Sequence, residues 1–329
     1  MDLKYLFYNE TMEEKWDTFV EHKSMNGTFL QTRKFINYHP EARFKDCSVC
    51  IFKGNELVAV VLACEIEDNN KKIFFAHKGT TFGGITISKS IYTASAIDQM
   101  MQGLLQFIKE NGYEKIYVKM VPELYQRENT NLLDYFLYKY DFSCVNELNY
   151  YLKLEKYVGD IASQFSASKR RDYKYSLRNN LEFRLLEQKN EISDYYNVLL
   201  MNLKKLNLRP VHTLEDLYDL KYNRFSEKIE FWGVYYENRI IAGSMLFYFS
   251  NDIVHTQYLS SDESYLKMFP MDFLIYNLID MAITKNKKIF TFGICTENQG
   301  KYLNLGLSRF KEGFGTEFCI NRSYEKDLG

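Results

Sequence analysis

The amino-acid sequence predicts an α/β protein (α+β in its chain order) in which mixed, mostly antiparallel sheets are flanked by helices. Three observations lead to this prediction. Runs of alternating apolar residues are joined by short turns that contain Gly, Asn and charged residues. Each group of runs precedes an apolar pattern of helical length and then one more strand. This order occurs twice, which indicates two tandem domains.

The second copy has the clearer pattern. It predicts a hairpin of strands at 231–236 and 240–247, a third strand at 253–259, a helix at 270–284 and a buried strand at 288–293. Antiparallel strands that lead into a helix and then another strand are expected to leave a gap in the sheet. The thioester or ester of a ligand can sit in such a gap.

The first copy repeats this order. Strands are predicted at 48–53, 57–66, 72–77 and 115–120, with a glycine-containing loop at 79–84 and a helix at 92–111. Residues 49–59 align with 232–242 without a gap, and residues 108–116 align with 281–289. We interpret the match as an internal duplication, with convergent strand–helix patterning as the alternative. The predicted domains are residues 1–155 and 156–329.

Composition limits the class of protein. Charged residues make up 26% of the chain and hydrophobic residues 46%, which is typical of a folded protein. The net charge of −1 argues against a protein built mainly to bind nucleic acid. The N-terminus lacks the pattern of a signal peptide, and no apolar run reaches the length of a membrane span, so a cytoplasmic location is expected.

The six cysteines do not suggest a disulfide framework in a chain of this size. Cys47 and Cys50 form a C-x-x-C pair, which is typical of redox sites and of half a zinc site. No second C-x-x-C follows, and residues three apart on a strand point to opposite faces. We therefore expect no metal site.

Eight short runs, taken in their order, resemble the tandem GNAT-fold proteins of the FemAB type, within the N-acetyltransferase superfamily. Each run is unspecific alone, and together they span nearly the whole chain. They are Phe-Leu-Gln-Thr at 29–32, the glycine-containing loop at 79–85, Ser-Lys-Arg-Arg at 168–171, Asn-Leu-Arg-Pro at 207–210, Ile-Ala-Gly at 241–243, His-Thr-Gln-Tyr-Leu-Ser at 255–260, Thr-Phe-Gly at 291–293 and Arg-Phe-Lys-Glu-Gly-Phe-Gly at 309–315.

The resemblance implies an acyltransferase that moves an acyl or aminoacyl group to an amine by direct attack in a ternary complex. The second domain would hold the donor, and the cleft between the domains would hold a small-molecule or peptide amine. Residues 264–272 contain no glycine, unlike the pyrophosphate-binding loop of acyl-CoA-dependent members. The near-neutral charge and the lack of a long helical-hairpin insertion disfavour aminoacyl-tRNA. Acyl-CoA, such as acetyl-CoA, is slightly favoured as the donor.

Two alternatives stay open at this point. One is a Fem-type enzyme that uses aminoacyl-tRNA to extend a cell-wall peptide. The other is a GNAT-fold protein that has lost its chemistry and serves as a ligand-binding module. The sequence does not reveal the oligomeric state.

Three residues are candidates for catalysis. His255, on the third strand of the second copy, can accept the proton of the amine, or it can be a hydrogen-bonded core histidine. Tyr258 can protonate a leaving group, or it can simply pack, as most of the 27 tyrosines do. Glu297 follows a strand end at which a base can lie, and a solvated loop carboxylate is the alternative.

Further residues are assigned to binding by position and charge. The donor side comprises Leu259, Ser260, Lys267, Met271 and Asp272. The acceptor side comprises Arg33, His77, Lys78, Gly83, Arg171 and Arg309. Arg171 belongs to a basic cluster that can bind the phosphates of a nucleotide-linked acceptor or of an RNA end, or can be a solvated face. Arg309 and Lys311 lie where they can also meet an anionic donor.

Overall fold

A computed structural model describes residues 2–40, 42–205, 207–250 and 252–329. The chain divides into two compact units. Unit 1 contains the described residues up to Glu147 together with Ile320–Gly329, and unit 2 is Leu148–Cys319. The predicted boundary at 155/156 lies a few residues beyond Glu147, and the last residues of the chain cluster with unit 1.

Unit 1 is built from short strands and one long helix. Its elements are β1 (Leu3–Phe7), α1 (Glu13–Thr18), α2 (Arg33–Ile36), β2 (Lys45–Asp46), β3 (Val49–Lys53), β4 (Glu56–Val61), β5 (Ala63–Asp68), β6 (Lys71–Ala76), β7 (Ile85–Ile87), α3 (Ala94–Glu110), β8 (Lys115–Lys119), α4 (Asn131–Lys139) and β9 (Ser143–Lys153), which continues into unit 2.

Two groups of strands make up unit 1. The first has the order β1-β3-β4-β7, and the second contains β2, β5, β6 and β8. The predicted strand at 57–66 is wrong in one respect, because it is divided at Leu62 into β4 and β5, which pair in different sheets. Strands β6 and β8 run parallel and pair only from Ile73 to Phe75, opposite Lys115 to Tyr117.

Unit 2 contains longer strands. Its elements are α5 (Ala167–Ser176), β10 (Glu182–Leu186), α6 (Lys189–Lys204), α7 (Leu214–Tyr218), β11 (Ile229–Tyr236), β12 (Arg239–Phe249), β13 (Ile253–Ser261), α8 (Pro270–Thr284), β14 (Ile289–Ile294), β15 (Thr296–Glu297), β16 (Tyr302–Leu303), α9 (Leu305–Glu312) and β17 (Glu317–Asp327), whose end pairs with β8 inside unit 1.

The sheet of unit 2 has the order β10-β11-β12-β13-β14-β9. All of its neighbouring strands are antiparallel except β13 and β14, which are parallel and joined through α8. Helix α8 covers the predicted range, with Pro270 at its first position and Leu274, Ile275 and Leu278 fully buried against the sheet. The predicted fold class, with two α/β units of mixed, mostly antiparallel sheet, is confirmed.

The order of elements repeats between the units. In each, an antiparallel strand pair (β5–β6 or β12–β13) precedes a helix (α3 or α8), and the strand after the helix (β8 or β14) runs parallel to the second strand of that pair. In unit 1, β7 lies between β6 and α3 and pairs with β4. The hairpin turn after β3 and the turn after β11 fall at the positions that the sequence alignment pairs. Among the described residues, no helix combines the length and the apolar character that crossing a bilayer requires.

Candidate functional site

The principal feature of unit 2 is the divergence of β13 from β14. Their parallel pairing covers three residues on each strand and ends where His255 lies opposite Thr291. Beyond this point β13 continues to Ser261 beside β12, and β14 continues to Ile294 beside β9. Each strand therefore keeps one neighbour and loses the other, which leaves an opening in the sheet.

A β-bulge lies at the start of this opening on β13. The partner of Met245 is Tyr258 and the partner of Leu246 is Thr256, so Gln257 is an extra residue. A bulge bends a strand and redirects its side chains. Val254 and Leu259 both pack into the core beneath α8, although they are five positions apart and would point to opposite faces of a regular strand. The change of alternation places His255 and Tyr258 on the sheet face away from that core.

A second bulge lies on β14. Thr291 pairs with Tyr151 and Gly293 with Tyr150, so Phe292 is the extra residue. Gly293 has φ of +72°, and a Cβ atom there would lie 3.3 Å from Cε1 of His255. The glycine therefore lets the strand backbone approach the histidine ring. The hydroxyl of Thr256 donates to the carbonyl oxygen of Thr291 at 3.2 Å, across the start of the opening.

His255 is buried beside the opening. Its Nδ1 lies 3.5 Å from Oγ1 of Thr291, and its ring contacts Phe249 edge-on. Burial, with a smaller contribution from the charge of Lys311, lowers the pKa of His255 to about 3. The imidazole is therefore neutral at physiological pH. A pKa this low weakens the case for His255 as a proton-storing base and favours a neutral hydrogen-bonding role.

Lys311 holds the end of β14. Its ammonium, on a side chain that is 3% exposed, donates to the carbonyl oxygens of Phe292, Gly293 and Ile294 at 2.8, 3.0 and 2.9 Å. Burial lowers the pKa of Lys311. Because these three bonds use its three donors, the expectation that Lys311 meets an anionic donor is corrected. Its position lets it fix the backbone that borders the opening.

Tyr258 ties a loop of unit 2 to β13. Its hydroxyl accepts from the backbone N–H of Val211 at 3.2 Å and lies 2.8 Å from Nδ1 of His212. Burial raises the pKa of Tyr258 to about 12, although these loop amides act in the opposite direction. No pattern in the sequence indicated His212, since it lies far from Tyr258 along the chain and has no local motif.

The residues predicted to bind a donor gather at the end of β13 and the start of α8. Leu259 is half-buried, Ser260 is buried, Lys267 is exposed in the 3₁₀ turn Glu263–Met268, and Met271 packs against the core. Asp272 is buried in the first turn of α8.

The ion pair at the start of α8 has electrostatic consequences. A carboxylate oxygen of Asp272 lies 2.8 Å from Nζ of Lys169 on α5. Burial raises the pKa of Asp272, while Lys169 lowers it. Phe269, with φ of 55°, precedes the helix, and Pro270, its first residue, has no N–H. An acidic side chain and a proline therefore occupy the turn at which a helix N-terminus would otherwise bind phosphate.

The remaining predicted residues of unit 2 lie apart from the opening. Glu297 is exposed on β15 and accepts from Nδ2 of Asn304 at 3.4 Å. Arg171 is exposed on α5 and forms an ion pair with Asp172 at 3.0 Å. Arg309 is exposed on α9, between the buried residues Ser308 and Lys311.

In unit 1, the arginine and the histidine predicted to bind an acceptor are both buried. Arg33 is 1% exposed, forms an ion pair with Asp46 and lies between the rings of Tyr8 and Trp16, at 3.4 and 4.1 Å from their centroids. It is therefore a core arginine without the exposed surface that an acceptor contact requires. His77 is also buried, which lowers its pKa to about 3.

The other unit 1 candidates differ in exposure. Gly83 is buried, and its N–H donates to the carbonyl oxygen of Lys119 at 3.1 Å, while Lys78 is exposed. Cys47 and Cys50 are buried free thiols, and burial raises the pKa of both. A raised pKa is the opposite of what a reactive thiol requires.

No family model matches the sequence, and no curated protein matches it. Solved structures do match. FemX superposes over 98% of this chain and 97% of its own, with a TM-score of 0.70 and 10% identity. The chain has a tandem GNAT-like fold of the Fem type.

Two further structures support this assignment of the fold. The structure of L-PGS from Bacillus licheniformis matches over 94% of this chain and 90% of its own, with a TM-score of 0.61 and 12% identity. A tandem GNAT protein from the clavulanic acid biosynthesis pathway covers 100% of this chain and 99% of its own, with a TM-score of 0.58 and 7% identity. At these identities the likeness concerns the fold.

Proposed function

We propose that this Fem-type chain is an acyltransferase whose unit 2 holds an acyl or aminoacyl donor in the opening between β13 and β14. The donor is a thioester or an ester, and the acceptor is an amine. The observation that carries the proposal is the end of parallel pairing at His255 and Thr291, directly before the bulge at Gln257. Bulges of this kind occur preferentially beside active sites.

The opening suits the electrostatics of acyl transfer. From Thr256 onward, β13 has a strand partner only in β12, so one edge of its backbone faces the opening. Backbone N–H groups that point at a carbonyl stabilise the oxyanion that forms on attack. The donor would extend this edge as an added strand, which aligns its carbonyl with the bulge.

The reaction is a direct displacement. The amine nitrogen attacks the carbonyl carbon, a C–N bond forms, and the negative charge moves to the oxygen. Collapse breaks the C–S or C–O bond to the donor, and the leaving group takes up the proton that the amine loses. In this proposal neutral His255 and the hydroxyl of Thr291 hold the reacting amine, while Tyr258 positions the loop beside it.

The start of α8 bears on the choice of donor. Acyl-CoA would bring its pyrophosphate toward this helix, where Asp272 places a buried carboxylate and Pro270 removes one N–H. Lys169 pairs with this carboxylate and offsets part of its charge, but the turn still offers fewer free N–H groups and an acidic side chain, so a donor without phosphates at this position fits better. This feature of α8 favours an aminoacyl ester as the alternative donor. Acyl-CoA, which the sequence slightly favoured, is still the first donor to test.

The test is a transfer assay with mass-spectrometric detection. Purified protein is incubated with acetyl-CoA, with longer acyl-CoAs or with aminoacyl-tRNA, together with a mixture of primary amines. Transfer from at least one donor, lost when Gln257 is deleted to restore regular pairing, supports the proposal. Binding of a donor without transfer to any amine would favour a ligand-binding module instead.

A single variant separates the two donors. Asp272→Asn removes the negative charge at α8 and keeps the size of the side chain. If acyl-CoA is the donor, this variant should bind it about tenfold more tightly, because repulsion of the pyrophosphate is relieved. If an aminoacyl ester is the donor, its use should be unchanged in Asp272→Asn, since no phosphate lies at the helix.

A further inference from the structure

Unit 1 contains its own parallel strand pair, and two lysines lie just beyond its end. The pairing of β6 with β8 stops where Phe75 lies opposite Tyr117. Lys78 follows shortly after β6, and Lys119 is the last residue of β8. The topology thus brings two cationic side chains to the same end of the strand pair.

Both ammonium groups approach one aromatic ring. Nζ of Lys78 and Nζ of Lys119 each lie 5.8 Å from the centroid of Phe75. The ring of Tyr117 stacks on Phe75 with a centroid distance of 4.4 Å and an interplanar angle of 15°, so one face of Phe75 is covered. The two cations must therefore share the remaining side and edge of the ring.

Neither ammonium has an ion-pair or hydrogen-bond partner within the part of the chain that the structure describes. Other lysines on the same two strands are paired: Lys72 lies 3.0 Å from Glu65, and Lys115 lies 2.8 Å from Glu325. Burial lowers the pKa of Lys119, the charge of Glu147 raises it, and the charge of Lys78 lowers it further. Glu147 acts on Lys119 through its charge but forms no ion pair with it among the described residues, so the two neighbouring cations keep an excess positive charge that attracts an anion.

We propose that Lys78 and Lys119 form an anion-binding site on unit 1 that takes the phosphate or carboxylate group of a ligand. Two ammonium groups offer six donors beside the ring of Phe75, with Lys78 exposed and Lys119 half-buried. The site is separate from the opening in unit 2. It holds whether or not unit 2 transfers acyl groups, because it depends only on unit 1 residues.

The experiment uses isothermal titration calorimetry and thermal unfolding of the full chain at constant ionic strength. The probes are inorganic phosphate and acetate, which distinguish a phosphate from a carboxylate ligand. The variants are Lys78→Met and Lys119→Met, which keep the stem and remove the charge. Lys71→Met is the matched control, since Lys71 is an exposed lysine on β6 that faces Asp327 at 3.6 Å.

We expect one of the two anions to bind and to raise the melting temperature of the parent chain and of Lys71→Met. Lys78→Met and Lys119→Met should each bind that anion about tenfold more weakly, because each variant loses one charge-assisted contact. Binding that persists unchanged in both variants would overturn the proposal. So would the absence of any response to either anion in the parent chain. Because Lys78 is exposed, its variant remains informative even if Lys119→Met folds poorly.

Discussion

The two units share an order of elements but differ in what lies beyond the end of their parallel strand pair. In unit 1, the segment between β6 and α3 folds back, and the N–H of Gly83 donates to the carbonyl oxygen of Lys119 at the end of β8. In unit 2, the segment between β13 and α8 is much shorter. No backbone hydrogen bond joins it to β14 within the described residues. The opening is closed by backbone in unit 1 and left open in unit 2.

The difference indicates that the connection after the strand decides whether backbone fills the gap beyond the parallel strand pair. The long connection of unit 1 has room for β7, which pairs with β4, and for Gly84, which packs against β8. The short connection of unit 2 forms only one 3₁₀ turn. The end of β14 is instead held by Lys311, which reaches it from α9.

The largest effect is expected from Lys311→Met in unit 2. The change leaves the carbonyl groups of Phe292, Gly293 and Ile294 buried without their donor. We expect the free energy of unfolding to fall by about 3–5 kcal/mol, since three charge-assisted bonds are lost at once. Urea denaturation followed by circular dichroism measures this change.

Arg309→Met is the matched control on the same helix, because Arg309 is exposed. Its unfolding free energy should stay within about 0.5 kcal/mol of the parent chain. If Lys311→Met were equally mild, Lys311 would not hold β14, and the contrast between the units would lose its physical basis.

A smaller effect is expected at the glycines. A Cβ on Gly84 would lie 2.6 Å from the carbonyl oxygen of Lys119, and φ there is +63°. Gly84→Ala should cost about 3 kcal/mol, because left-handed strain adds to a clash with backbone. Gly293→Ala should cost about 1–2 kcal/mol, since its nearest neighbour is the edge of the His255 ring at 3.3 Å.

Gly54→Ala supplies the reference for strain alone, as φ is +58° and no atom lies within 4 Å of the added Cβ. Its cost should be about 1 kcal/mol. Thermal and urea unfolding of the three variants would rank them. A Gly84→Ala variant as stable as Gly54→Ala would show that unit 1 is not closed by this contact.

The smallest effect concerns pH, and here the units should behave alike. Burial lowers the pKa of His77 and of His255 to about 3, below the value of about 6.5 in an unfolded chain. Below pH 6.5 the unfolded state binds more protons than the folded state, so stability falls as the pH falls through this range and is fully present above it.

When the pH falls from 7.5 to 6, each of these histidines should lower the free energy of unfolding by about 0.8 kcal/mol. His77→Gln and His255→Gln should each flatten the pH profile of the unfolding free energy by that amount. A profile that keeps its slope in His255→Gln would mean that the folded state accepts a proton at His255, which would restore the case for a base.

Local patterns in the sequence were sufficient for the elements of unit 2. The alternation in β11, β12 and β13 predicted the meander, and Pro270 at the start of an apolar periodic run predicted α8 with its observed bounds. In unit 1 the same alternation predicted one strand at 57–66. The division at Leu62 depends on which partners the two halves pair with, and pairing is not encoded locally.

The sequence predicted the location of the candidate site, but only part of its side-chain contacts. The element order alone indicated the opening between β13 and β14. The role of Lys311, the contact of Tyr258 with His212 and the burial of Arg33 all depend on side chains from distant parts of the chain. Charge suggested that Arg33 and Lys311 bind ligands, whereas Arg33 is buried and ion-paired with Asp46, and Lys311 donates to backbone carbonyls inside the protein.

The central claim is that the donor occupies the opening of unit 2 and not its counterpart in unit 1. Hydrogen–deuterium exchange tests this claim, with acetyl-CoA and with an amide-linked aminoacyl-adenosine as stable donor probes. We expect slower exchange in peptides that cover 256–261 and 289–295, and unchanged exchange at 73–84 and 115–120. If a probe binds but slows exchange only in the unit 1 segments, the account is contradicted.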